Sequence, residues 1–80
     1  MNLEELVYKL KAIARLNGDA FYYHIDIQPN KAFITYQFVC EETADGHWLV
    51  EGSGSTIEEA VNDAARQVDS AVLDWGYKLP

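Results

Sequence analysis

Few residues in this 80-residue chain have the types and spacing for chemistry: His24 with Asp26, Cys40, His47, and the run Gly52-Ser53-Gly54 ahead of Ser55 and Thr56. An imidazole beside a carboxylate can be oriented as a general base, and two positions apart on a strand they share a face. The same spacing equally describes a polar pair on a solvated sheet. No hydroxyl or thiol stands at a fixed spacing that would complete a nucleophilic set. His24, His47 and Cys40 fall short of the four ligands of a structural zinc site. Glycines before a helix can cradle a phosphate on exposed N–H groups. Here Glu51, Glu58 and Glu59 surround them, and the run lacks both the lysine of a P-loop and the third glycine of a dinucleotide fingerprint. No catalytic residue, metal or cofactor is therefore expected, and the glycines read as a turn.

The elements that carry these residues follow from hydrophobic period. Leu3, Leu6, Leu10, Ile13 and Ala14 form one stripe over residues 3–16, opened by the pair Asn2 and Glu5 and closed by Asn17-Gly18. At Phe21–Ile27 the period switches to two, with Phe21, Tyr23, Ile25 and Ile27 on one face and Tyr22, His24 and Asp26 on the other. Gln28-Pro29-Asn30-Lys31 makes a tight turn into a second strand, Ala32–Cys40. There Ile34, Tyr36, Phe38 and Cys40 alternate with Phe33, Thr35, Gln37 and Val39, so the two strands form an antiparallel hairpin. After a polar loop over 41–46, His47–Glu51 forms a short third strand, whose pattern leaves open which of Trp48 and Leu49 faces inward. Gly52–Ser55 reads as a flexible connection, and Thr56 with Glu59 as a capping box. Ile57, Ala60, Val61, Ala64, Val68, Ala71, Val72 and Trp75 stripe the last helix, which Gly76 ends. Two helices must bury their stripes on one face of a three-stranded antiparallel sheet, giving an α+β two-layer sandwich of order α-β-β-β-α with the other face open. Residues 1–80 make one domain.

Charge narrows the partners. The net charge is -7, with 49% apolar residues and ten aromatics. Residues 1–17 carry two acids against Lys9, Lys11 and Arg15, for +1; the remainder carries eleven acids against Lys31, Arg66 and Lys78, for -8. Such a field repels polyphosphates and anionic membranes and favours basic partners. With one cysteine, no 18-residue apolar run and no signal-like N-terminus, a cytoplasmic protein is expected, delivery by a virus or another cell being compatible.

The segment Gly52, Gly54, Thr56, Ala60, Ala64 and Ala65, with the element order, resembles the double-stranded RNA-binding domain. That family carries Gly-x-Gly-x-Ser-Lys-Lys-x-Ala-Lys-x-x-Ala-Ala there. The resemblance implies the α-β-β-β-α fold, but the family's phosphate-gripping lysines would fall on Ile57, Glu58 and Val61. Its first interstrand loop, basic or histidine-bearing, is here Gln28–Lys31. Nucleic-acid affinity rests on phosphate contacts, so RNA binding is not expected to carry over through these positions. What is left is Tyr8, Lys11 and Arg15 on one side of the first helix, which the family sets in the minor groove; they also read as a solvated helix face.

Two protein-binding surfaces are expected instead. Glu58, Glu59, Asp63, Asp69 and Asp74 project from the last helix over about 24 Å, comparable to several phosphate spacings, and would mimic or occlude nucleic acid on a basic partner. In size and charge this matches small acidic inhibitors of phages and mobile elements, of anti-CRISPR or anti-restriction type. The second surface is the open sheet face, where Tyr22, Phe33, Val39 and Leu49 form an apolar patch edged by His24, Gln37 and Glu51, suited to a partner or to a homodimeric scaffold.

Overall fold

The computed structural model describes residues 1–40, 42, 43 and 46–80, the side chains of 46–50 excepted. The chain runs α1 (Leu3–Leu16), β1 (Asp19–Gln28), β2 (Lys31–Cys40), β3 (Gly46–Gly54), α2 (Ile57–Asp74), with sheet order β1-β2-β3 and both pairings antiparallel. This is the anticipated α+β arrangement, both helices lying against the sheet.

Each helix is bounded by its own sequence. Asn2 Oδ1 accepts the Glu5 N–H at 2.8 Å and the Glu5 carboxylate accepts the Asn2 N–H, completing a capping box on α1. Gly18 and Gly76 adopt φ of +74° and +77°, left-handed values that glycine takes without strain. Leu6, Leu10, Ile13 and Ala14 of α1 and Ala60, Val61, Ala64, Val68 and Val72 of α2 are buried against Ala32, Ile34, Tyr36 and Phe38 of β2. Central β2 thus supplies the floor of the core, as its alternation predicts.

Several expectations shift. β1 and β3 extend beyond their anticipated bounds, and Gly52 to Gly54 lie inside β3 rather than in a flexible connection. The reason is contact: a Cβ on Gly52 would meet Ala60 O and lie 2.6 Å from Ala64 Cβ, and one on Gly54 would meet Glu59 Cβ. Absent side chains let α2 settle onto the strand. Glu59 reaches past Thr56 to accept the Ser55 N–H at 2.7 Å, while Thr56 Oγ1 accepts the Glu59 N–H at 3.2 Å. Trp75 caps the helix C-terminus and stays 47% exposed, outside the buried stripe. On β1 the phase is as anticipated, but only Phe21 and Ile25 pack on the core; Tyr23 and Ile27 are 45% and 70% exposed because the helices do not cover the strand's outer part.

A register shift falls between Tyr36↔Val50 and Gln37↔Trp48, leaving Leu49 as an extra residue in β3. Which of Trp48 and Leu49 faces the core lies outside the described residues. The tail is tied down: Asn17 Nδ2 donates to Lys78 O at 3.0 Å, Lys78 N donates to Asn17 Oδ1 at 2.9 Å, and Tyr77 stacks on Phe38 with ring centroids 5.5 Å apart. No helix among the described residues is long and apolar enough to cross a membrane.

Candidate functional site

The open sheet face is assembled by register. Tyr22↔Gln37, His24↔Thr35 and Asp26↔Phe33 pair across β1 and β2, and Thr35↔Glu51 and Phe33↔Ser53 across β2 and β3. Because alternate residues share a face, Tyr22, His24 and Asp26 sit beside Phe33, Thr35, Gln37 and Val39 on the side away from the helices. Tyr22 is 58% exposed, and Phe33 and Val39 are half-buried among their neighbours. A shallow depression of about 260 Å³ is lined by His24, Asp26, Phe33, Thr35 and Glu51. The Leu49 side chain anticipated in this patch lies outside the described residues.

His24 and Asp26 share this face but do not hydrogen-bond each other. Asp26 Oδ2 instead accepts from Gln28 Nε2 at 3.4 Å. The His47 side chain lies outside the described residues. Cys40 sits at the end of β2, where the Thr43 side chain and the Thr43 and Glu42 backbone hydrogen-bond the sulfur and hold the thiol below its ordinary range.

The acids of α2 do not form one free surface. Asp63 Oδ2 accepts the Ser53 N–H at 3.0 Å and Oδ1 pairs with Arg66 at 2.6 Å; these contacts, the first most of all, keep its carboxyl below the usual range. It is half-buried beside β3, not projecting opposite the core. Asp69 pairs with Lys9 of α1 at 2.8 Å. With Glu59 bound to Ser55, Glu58 and Asp74 are the two of the five without such a partner among the described residues. At 3.6 residues per turn, Glu58 and Asp69 fall on the α1 flank and Glu59, Asp63 and Asp74 nearer β3, with Arg66 between the two groups.

On α1, Tyr8 is 79% exposed and Lys11 and Arg15 are exposed on the same side. Lys11 and Arg15 line a pocket of about 460 Å³ with Ala14, Gly18, Asp19 and Phe21. Asp19 is buried at the start of β1 and accepts a hydrogen bond from the Tyr77 side chain; burial first, then Asp19, pushes the Tyr77 phenol up. Asp19 Oδ2 has no hydrogen-bond partner among the described residues. Sequence reasoning missed this group, because an aspartate after Asn17-Gly18 reads as part of a turn until the tail is seen folding back over it.

The chain matches no family model, and no curated protein or solved structure matches it either.

Proposed function

We propose that the chain is a non-catalytic protein-interaction module on a double-stranded RNA-binding-like frame, which docks a partner through the open sheet face. The observation that carries this reading is the helix-free face bearing Tyr22, Phe33 and Val39 at one side of a thin two-layer molecule. An aromatic patch of this kind is characteristic of protein interfaces. Asp26 and Glu51 rim it, and the body of the chain carries most of the acids, so the complementary partner offers an apolar surface flanked by lysine or arginine.

Nucleic-acid mimicry by the acidic helix is the weaker reading, since Glu59, Asp63 and Asp69 are already engaged within the chain. Duplex-RNA binding through Tyr8, Lys11 and Arg15 is weaker still, because Glu58 and Glu59 stand at the helix end where phosphate contacts are needed. The test is partner capture by the immobilised chain. Tyr22→Ala with Phe33→Ala should lose the captured protein, whereas Glu58→Lys with Asp74→Lys should retain it with weaker salt dependence. Loss only in the second pair would move the interface to α2, and a mobility shift with duplex RNA at low salt would replace the reading altogether.

A further inference from the structure

We propose that two copies of this chain associate through the free edge of β1, joining their sheets into one six-stranded antiparallel sheet. The inference is independent of the partner-docking reading above and starts from the hairpin. Gln28 and Lys31 flank a two-residue turn and form its closing hydrogen-bonded pair. Bonded and non-bonded pairs alternate along an antiparallel ladder. Even-numbered β1 residues therefore bond to β2, while Phe21, Tyr23, Ile25 and Ile27 direct their backbone N–H and C=O groups outward.

The two sheet edges are treated differently. On β3 the outward N–H of Ser53 is taken by Asp63 and that of nearby Ser55 by Glu59. On β1, residues 21–27 contain no lysine or proline, β1 pairs with β2 without a register break, and no element among the described residues covers the edge. Those are the usual devices that keep an edge from pairing. The outward-bonding residues also carry the apolar side chains that the helices cover incompletely, Tyr23 and Ile27 above all.

The residue pattern selects one register. A two-fold axis at His24 sets Tyr23 against Ile25 of the second copy and Phe21 against Ile27, so all four apolar residues meet one another. An axis at Tyr23 would set Ile27 against Asp19, and one at Ile25 would set Phe21 against Pro29. The His24 register also places Tyr22 opposite Asp26, where a phenol can donate to a carboxylate, and sets no like charges opposite.

Sedimentation up to about 0.5 mM should show a species of twice the 9.1 kDa chain mass. Ile27→Lys, at an exposed position, should return it to the single-chain mass with its circular dichroism unchanged. In a Cys40→Ser background, His24→Cys should cross-link on oxidation, since facing residues of a non-bonded pair have Cα atoms about 4.5 Å apart. Asp26→Cys should not, its copies being roughly 14 Å apart. A single-chain mass at every concentration overturns the proposal, as does a dimer indifferent to Ile27→Lys or one that links through Asp26→Cys and not His24→Cys.

Discussion

Gly52→Ala should be among the most damaging single-methyl additions in this protein. The added Cβ would lie 2.6 Å from Ala64 Cβ and 2.7 Å from Ala64 N, and would run into the Ala60 carbonyl oxygen. Two of those three atoms are backbone of α2, so relief requires the helix to lift from β3. Overpacking of this kind costs about 1–3 kcal/mol, and rigid neighbours place it at the upper end. Lower unfolded-state entropy for alanine offsets about 0.4–1 kcal/mol, leaving a net loss of about 2 kcal/mol. For a domain of this size the total stability is about 4–12 kcal/mol, and a melting midpoint moves roughly 4–8 °C per kcal/mol. Thermal unfolding followed by circular dichroism should thus show a fall of about 8–16 °C. Adding Ala64→Gly should recover part of it, because Ala60 O and Ala64 N still collide. Gly18→Ala is the control: nothing among the described residues lies within 4 Å of the added Cβ, so only the left-handed backbone is penalised, by roughly 1–2 kcal/mol. A Gly52→Ala protein within about 0.5 kcal/mol of the parent would refute the close-approach account.

Tyr36 is fully buried, its hydroxyl has no partner among the described residues, and burial raises its phenol pKa, so Tyr36→Phe should stabilise the fold by about 1 kcal/mol in urea titration; a loss of that size would mean the hydroxyl is satisfied. Cys40 should react with iodoacetamide with a pH midpoint below the ordinary thiol range, and Thr43→Val should raise that midpoint; equal midpoints would remove the Thr43 side-chain hydrogen bond as the leading cause. The Asp63 carboxyl is depressed by the Ser53 N–H first and then by Arg66, so its stabilisation is present above the unfolded carboxylate value and lost as pH falls through the folded one. The stability gap between the parent and Asp63→Asn should therefore shrink as the pH drops below about 4, and a gap constant from pH 7 downward would contradict it.

The fold was legible wherever one local signal sufficed. The α1 stripe from Leu6 to Ala14, the period-two run of β2 and the left-handed glycines at 18 and 76 each name their element without help from elsewhere. Signals that depend on a distant partner point the wrong way when taken alone. Gly52 and Gly54 look like a flexible connection because glycine weakens a strand taken alone; only Ala60 and Ala64, eight and twelve residues after Gly52, explain why a strand would carry them. The exposure of Tyr23 and Ile27 depends on how far the helices extend over the sheet, which no period encodes. Asn17 serves as a helix stop in the sequence and as the anchor of residue 78 in the fold, a contact spanning 61 positions. Of the candidate sites, the shared face of Tyr22, His24, Phe33 and Val39 followed from strand phase. The grouping of five acids did not survive, because helical spacing says which side a carboxylate leaves from and not what it then reaches.

That last difference changes what the acidic helix means. Read as surface, Glu59 and Asp63 look like charge displayed to a partner. In the fold they accept backbone N–H groups of Ser55 and Ser53, just where β3 passes its chain to α2 and would otherwise offer unpaired donors. A carboxylate is the side chain suited to that place, since it only accepts, whereas a lysine would set a donor against donors. Part of the negative charge at the start of α2 is therefore a requirement of an exposed strand end and carries no information about ligands. A charge-reversal experiment on this helix separates binding from folding only at Glu58 and Asp74, which hold nothing within the described chain; reversal at Glu59 or Asp63 would weaken the handover from strand to helix and imitate a loss of binding.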